Sequence, residues 1–133
     1  MDTRVLLVED NRVNQQVALG MLARIGCAVE TAANGREALE RLAAASFDVV
    51  LMDCHMPEMD GFEATAAIRA REAVGGRRTP IVALTANAIE GDRERCLAAG
   101  MDDYLAKPIR LADLRRVVER WGGRATEAGN STE

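Results

Sequence analysis

Val49-Val50-Leu51-Met52-Asp53 is the stretch that decides the fold. Four apolar residues run without alternation and stop at a carboxylate. A strand with one face in water alternates apolar and polar residues. A strand covered on both faces has no reason to, and such strands belong to parallel sheets with helices on either side. The same kind of run recurs outward from this one. Val5-Leu6-Leu7-Val8 and Ala28-Val29 precede it; Ile81-Val82-Ala83-Leu84 and the shorter Tyr104-Leu105-Ala106 follow.

The segments between these runs have helical spacing. Ala18, Met21, Leu22 and Ile25 fall at i, i+3, i+4 and i+7, and Gly26 then stops the helix. Asn34 with Glu37 three residues on resembles a capping box, opening a helix through Leu39 and Leu42. A third helix is predicted over residues 61 to about 73. A fourth is predicted over 87–99, closed by Gly100. Leu111, Leu114, Val118 and Trp121 stripe a fifth. The order βαβαβαβαβα predicts an α/β fold, a doubly wound parallel sheet with right-handed crossovers.

Composition agrees with one such domain. The chain has 133 residues, 48% of them apolar and 29% charged, and roughly 100–200 residues make one domain. Aromatics are only 3%, so the core is aliphatic. A net charge of −4 without a basic stripe argues against nucleic acid as a partner. Cys27, Cys54 and Cys96 are odd in number and widely spaced. That pattern suits reduced thiols in a cytoplasmic protein, not a disulfide framework or a zinc site. The start of the chain has no signal-peptide core. No apolar run approaches the roughly 20 residues that span a bilayer, so no membrane contact is expected. The domain is expected over residues 1–121, as a monomer or weak dimer. Residues 122–133 have little to bury and are expected as a disordered tail or linker.

Ligands of open α/β sheets bind beyond the carboxyl ends of the strands. Strand 1 runs into Glu9-Asp10, strand 3 into Asp53, strand 4 into Thr85 and strand 5 into Lys107-Pro108. Strand 2 runs into Thr31-Ala32-Ala33 and brings no charge. Strand 2 is therefore expected at the edge, in the order 2-1-3-4-5. Three carboxylates in one crevice call for a cation. Mg²⁺ prefers oxygen donors and binds through one or two carboxylates together with phosphate oxygens. Asp10 and Asp53 can supply the carboxylates, with Glu9 acting directly or through water. An Asp carboxylate can attack phosphorus. Mg²⁺ and the Lys107 ammonium would balance charge on the phosphoryl oxygens, and Thr85 would hydrogen-bond one of them. Taken singly, each of these residues reads more simply as a cap, a turn or a surface charge. Their presence at four of five strand ends is what caps alone do not explain. Pro108 also permits a cis bond that would turn Lys107 inward.

Glu9-Asp10-Asn11, the stretch from Met52 through Asp53-Cys54-His55-Met56-Pro57 to Gly61, Leu84-Thr85-Ala86 and Lys107-Pro108 together resemble response-regulator receiver domains of two-component systems. The resemblance covers about residues 4–121 and is closest in look to receivers of hybrid sensor histidine kinases. It implies a flavodoxin-like receiver fold. It implies Asp53 as phosphoacceptor, and Thr85 and Lys107 as contacts to the phosphoryl group. Glu9, Asp10, Asp53 and the backbone carbonyl of His55 would hold Mg²⁺. It further implies a switch: Thr85 is drawn to the phosphorylated Asp53, Tyr104 rotates inward, and the face of helix 4, strand 5 and helix 5 changes. The partners implied are a sensor histidine kinase or a histidine phosphotransfer domain. Such a domain is a signalling module that assists its own phosphorylation and dephosphorylation, not an enzyme in the usual sense. A stand-alone regulator acting by protein–protein binding is the alternative context. A haloacid-dehalogenase-like phosphatase would need an acid two residues after the nucleophile, where this chain has His55. A flavodoxin would need a Ser/Thr- and Gly-rich loop after strand 1, which is absent.

Overall fold

A computed structural model describes residues 3–54, 56, 59–75, 78–86 and 92–122. The strands are β1 (Arg4–Val8), β2 (Ala28–Ala32), β3 (Val49–Asp53), β4 (Ile81–Thr85) and β5 (Asp103–Ala106). The helices are α1 (Arg12–Ile25), α2 (Gly35–Ala44), α3 (Gly61–Val74), α4 (Asp92–Ala99) and α5 (Leu111–Val117). The strands form one sheet in the order β2-β1-β3-β4-β5, and every neighbouring pair is parallel. This is the order expected from the uncharged end of the second strand.

The unalternating runs are explained by two cores. Side chains of successive strand residues point to opposite faces. Leu6, Val8, Val50, Met52, Ile81 and Ala83 face one way, onto Ala38 of α2 and Ala64 and Ile68 of α3. Val5, Leu7, Val49, Leu51, Val82 and Leu84 face the other way, onto Ala18 and Leu22 of α1 and Leu114 and Val117 of α5. Every residue of β3 and β4 is buried. At about 1.5–3 kcal/mol for each fully buried large aliphatic side chain, these two faces dominate the stability of the fold.

Helix ends follow local chemistry, with three differences from the sequence reading. Asn11 caps α1 by accepting from Asn14 N at 3.0 Å, and Gly26 ends it in the left-handed region at φ 100°. Asn34 caps α2 by accepting from Glu37 N, but the Glu37 carboxylate accepts from Ala33 N at 2.9 Å, not from Asn34 N. That reciprocal pair is therefore only half formed. A complete one opens α3, where Asp60 accepts from Glu63 N and Asp60 N donates to Glu63. The fifth helix ends differently too. After Val117 the backbone widens into a π-helical turn, Val118–Gly122, which brings Trp121 Nε1 to Asp103 Oδ2 at 2.9 Å. Of the predicted fourth helix, residues 87–91 lie outside the described residues, as does the predicted tail beyond residue 122.

The amino ends of β4 and β5 are clasped by charge. Asp102 accepts from Arg69 Nη2 at 2.7 Å, Arg78 Nη2 at 2.8 Å and Ile81 N at 2.9 Å. Arg69 also donates to the carbonyls of Thr79 and Gly100. Structural pairing thus holds one edge of the sheet, and the opposite edge is left for chemistry. Among the described residues no helix is long and apolar enough to cross a membrane.

Candidate functional site

Parallel register brings the carboxyl ends of the central strands to one edge. Val8 pairs with Met52, Asp53 with Leu84 and Thr85 with Ala106. The residues that follow or end these strands therefore converge: Glu9 and Asp10 after β1, Asp53 ending β3, Thr85 ending β4 and Lys107 after β5. In such sheets this is where ligands bind.

The convergence is close. Lys107 Nζ lies 3.1 Å from Asp53 Oδ2 and 3.4 Å from Glu9 Oε1. One carboxylate oxygen each from Glu9, Asp10 and Asp53 lie within 4.8 Å of one another. Asp53 and Glu9 are buried, at 3% and 2% exposure, while Asp10 is exposed at the mouth. Thr85 is fully buried, and its carbonyl accepts from Lys107 N at 2.8 Å. The Lys107–Pro108 bond is cis. The donor set is entirely oxygen and compact, which suits a hard divalent cation and not zinc or a soft metal.

Glu9 is the electrostatic centre of the group. Burial, then its hydrogen bond to Asp53 and the Asp53 charge, push its carboxyl up to about 7. The amide of Asn11 donates to it at 3.1 Å and opposes that rise. Burial works against the Lys107 ammonium, but Asp53 and Glu9 outweigh it and raise its pKa. Lys107 thus stays charged throughout the neutral range.

The Glu9 shift fixes a pH dependence. Without metal, the folded protein holds this proton up to about pH 7, whereas an unfolded Glu9 releases it near 4.5. The folded state binds more protons in that window, so the Glu9 contribution to stability falls as pH rises through it and levels off above. In EDTA, the urea midpoint of the wild type is expected to fall relative to that of Glu9→Gln between about pH 5 and pH 8. A flat difference would contradict the buried, protonated carboxyl. A divalent cation held by these carboxylates would compete with that proton, so its affinity is expected to rise over the same window.

Tyr104 lies half-buried against the α2–α3 core, on the strand neighbouring Thr85. Tyr104 pairs with Ala83, and strand alternation puts Thr85 on the same face as Ala83. His55 lies outside the described residues, so its carbonyl is not placed. Sequence reasoning missed Gly61, which it took only as a helix start. A Cβ there would fall on the carbonyl oxygen of Asp53 and 2.9 Å from Cys54 Cα. Gly61 N donates to Cys54 O at 3.1 Å, so the first residue of α3 presses on the backbone that carries Asp53. The signal available was a glycine directly after a helix cap, where most residues are tolerated.

Residues 5–119 match the family model described as the response regulator receiver domain. The chain is 44% identical over 123 residues to Hybrid signal transduction histidine kinase G of Dictyostelium discoideum, covering 91% of this chain and 4% of that protein. It thus spans a small part of the curated relatives it matches. In structure it resembles the receiver domain of a sensor histidine kinase from Pseudomonas aeruginosa, which has a magnesium ion coordinated in the active-site cleft. The TM-score is 0.84 and the identity 51%, over 92% of this chain and 99% of that one. It also resembles a chain in the Saccharomyces cerevisiae co-crystal structure of a histidine phosphotransfer signalling protein and the receiver domain of its downstream response regulator. Here the TM-score is 0.85 and the identity 33%, over 91% and 89% of the two chains.

Proposed function

This chain belongs to the response regulator receiver domain family, and from that premise we propose that it accepts a phosphoryl group on Asp53 from a phosphohistidine donor. The observation that carries this is the Lys107 ammonium 3.1 Å from Asp53 and 3.4 Å from Glu9, beside a cluster of three carboxylates with oxygens within 4.8 Å of one another. Of the two buried carboxyls, Glu9 holds its proton up to about pH 7, which leaves Asp53 as the nucleophile, with a fixed cation beside it and donors for a second cation.

Glu9, Asp10, Asp53 and the carbonyl of His55 would hold Mg²⁺. When bound, that ion supplies positive charge to the equatorial phosphoryl oxygens. The Asp53 carboxylate attacks phosphorus in line. The P–N bond to the donor breaks as the Asp53 O–P bond forms, and the donor imidazole leaves with a proton. Lys107 faces the second Asp53 oxygen and stays to neutralise the added charge. The buried Thr85 hydroxyl then donates to a phosphoryl oxygen, and Tyr104 on the same face follows it inward. The surface of α4, β5 and α5 is the output of that change. The domain, over residues 1–121, is a phosphoacceptor signalling module that assists its own phosphorylation and dephosphorylation.

The partner side rests on the relatives and on one surface. Val13 and Val17 of α1 are 70% and 51% exposed, one turn apart on the helix that follows Asp10. They offer apolar contacts beside the site mouth to a sensor kinase or histidine phosphotransfer domain. We place the chain in a cytoplasmic phosphorelay of the hybrid-kinase kind, with a stand-alone regulator as the second context.

The test is incubation with acetyl phosphate, with intact mass as readout. A single phosphate adduct is expected with Mg²⁺, and none in EDTA. An adduct that forms equally without metal would refute the proposed site.

A further inference from the structure

Cys54 directly follows Asp53, and Cys96 is carried by α4. Both thiols are fully buried, and their sulfur atoms stand 3.7 Å apart without a disulfide. The site chemistry above uses neither. Within residues 94–99 of α4, Cys96 is the only buried side chain. Around it, Glu94, Arg95, Leu97 and Ala98 are exposed, and Leu97 is an exposed large apolar residue at 50%. Over residues 94–99 the helix thus buries one small thiol, and Arg95 stacks 4.2 Å from the ring centre of Phe62 in α3. The sulfur it meets belongs to the residue beside the acceptor.

We propose that Cys54 and Cys96 form a reversible oxidative modification site, a disulfide that ties α4 to the end of β3 and that a two-electron oxidant of the peroxide class closes. A disulfide bond is about 2.05 Å long, so the two sulfurs must approach by roughly 1.7 Å. Closing that gap takes a change of side-chain torsion together with a small movement of α4. The chemistry balances. One thiol, as its thiolate, attacks the peroxide O–O bond and becomes a sulfenic acid, releasing water. The second sulfur attacks the first, forming the S–S bond and releasing a second water. Two electrons pass from the two sulfurs to the peroxide, and a dithiol reductant reverses the step.

Both thiols are fully buried, so a peroxide does not reach them in the closed fold. Oxidation runs through local opening of α4. Elements with few buried contacts open at a fraction of the global cost. One opening exposes both sulfurs, and reclosure brings them back together. Cys27, only partly buried, is the competing thiol. Once formed, the bond holds α4 against the strand that carries Asp53. The bond itself does not depend on the phosphoacceptor reading.

The experiment uses the full chain, wild type and Cys27→Ser, treated with hydrogen peroxide, then denatured, alkylated with N-ethylmaleimide and digested. The expected product is a Cys54–Cys96 linked peptide in most of the protein, with two thiols protected from alkylation and recovered by dithiothreitol. Amides of residues 92–99 are expected to exchange at least about five-fold more slowly in the oxidised protein. Full alkylation of both thiols after peroxide, sulfinic acid in place of the linked peptide, or unchanged α4 exchange in the linked form would each overturn the proposal. Cys96→Val must show no linked peptide; a linked species in it would also overturn the assignment.

Discussion

Asp53→Asn is expected to lose phosphate uptake by at least about 100-fold, because a neutral amide is a far weaker nucleophile toward phosphorus than a carboxylate. The substitution keeps size and shape, so the buried pocket at the end of β3 stays filled. What changes is charge. Lys107 loses its 3.1 Å partner and is left with Glu9 at 3.4 Å. Glu9 loses the negative charge that helps push its carboxyl up to about 7, so its pKa falls, while its burial still holds it above 4.5. One of three candidate metal ligands becomes neutral, and Mg²⁺ binding weakens with it. Stability without metal is expected to hold or rise, since a like charge has been removed from a crowded buried site. Intact mass after acetyl phosphate and Mg²⁺ measures the first effect, and urea unfolding in EDTA the second. An adduct of wild-type yield on the variant would mean the acceptor lies elsewhere.

Gly61→Ala is expected to destabilise the protein by about 3 kcal/mol, at the upper end of what overpacking costs. The sign is diagnostic. Alanine in an open helical position is more favourable than glycine by roughly 1 kcal/mol. At Gly61 the new methyl meets the backbone of Asp53 and Cys54, not the end of a flexible side chain that could swing aside. Either the α3 start or the Asp53 backbone must shift. The second shift would also misplace the nucleophile, so phosphate uptake should fall with stability. Gly20 in α1 is the control, because a Cβ there meets nothing within 4 Å. Gly20→Ala is expected to raise the urea midpoint. If Gly61→Ala raised it too, the close approach at the site would be wrong.

Much of this protein was legible because its physics is local or periodic. The runs at β3 and β4 lack alternation because both faces are covered, and the structure buries all five residues of each. Gly26 stops α1 because a positive φ there excludes most other residues. The strand order followed from charge at strand ends, since β2 lies outside β1, away from the crevice, and brings no charge to it. The convergence of Glu9, Asp10, Asp53 and Lys107 followed from the same rule, and the distances bear out their proximity.

Other features were not legible, each for a physical reason. Asn34 and Glu37 have the right spacing for a reciprocal cap, but Glu37 reaches one residue further back, to Ala33. Asp60 and Glu63 form the complete pair, at a helix start for which the sequence reading assigned no cap. The widened turn at Val118–Gly122 keeps the apolar stripe of α5 yet swings Trp121 onto Asp103. The burial period, the glycine stop and the order of charged strand ends were thus determined by the sequence alone, because each depends on neighbours along the chain or on the two-residue pleat. Tertiary structure alone decided the contact of Cys54 with Cys96, 42 residues away, the pressure of Gly61 on Asp53 and the shift of Glu9 to about 7. Those depend on how closely separate elements pack, and packing distance leaves no trace in residue type or spacing.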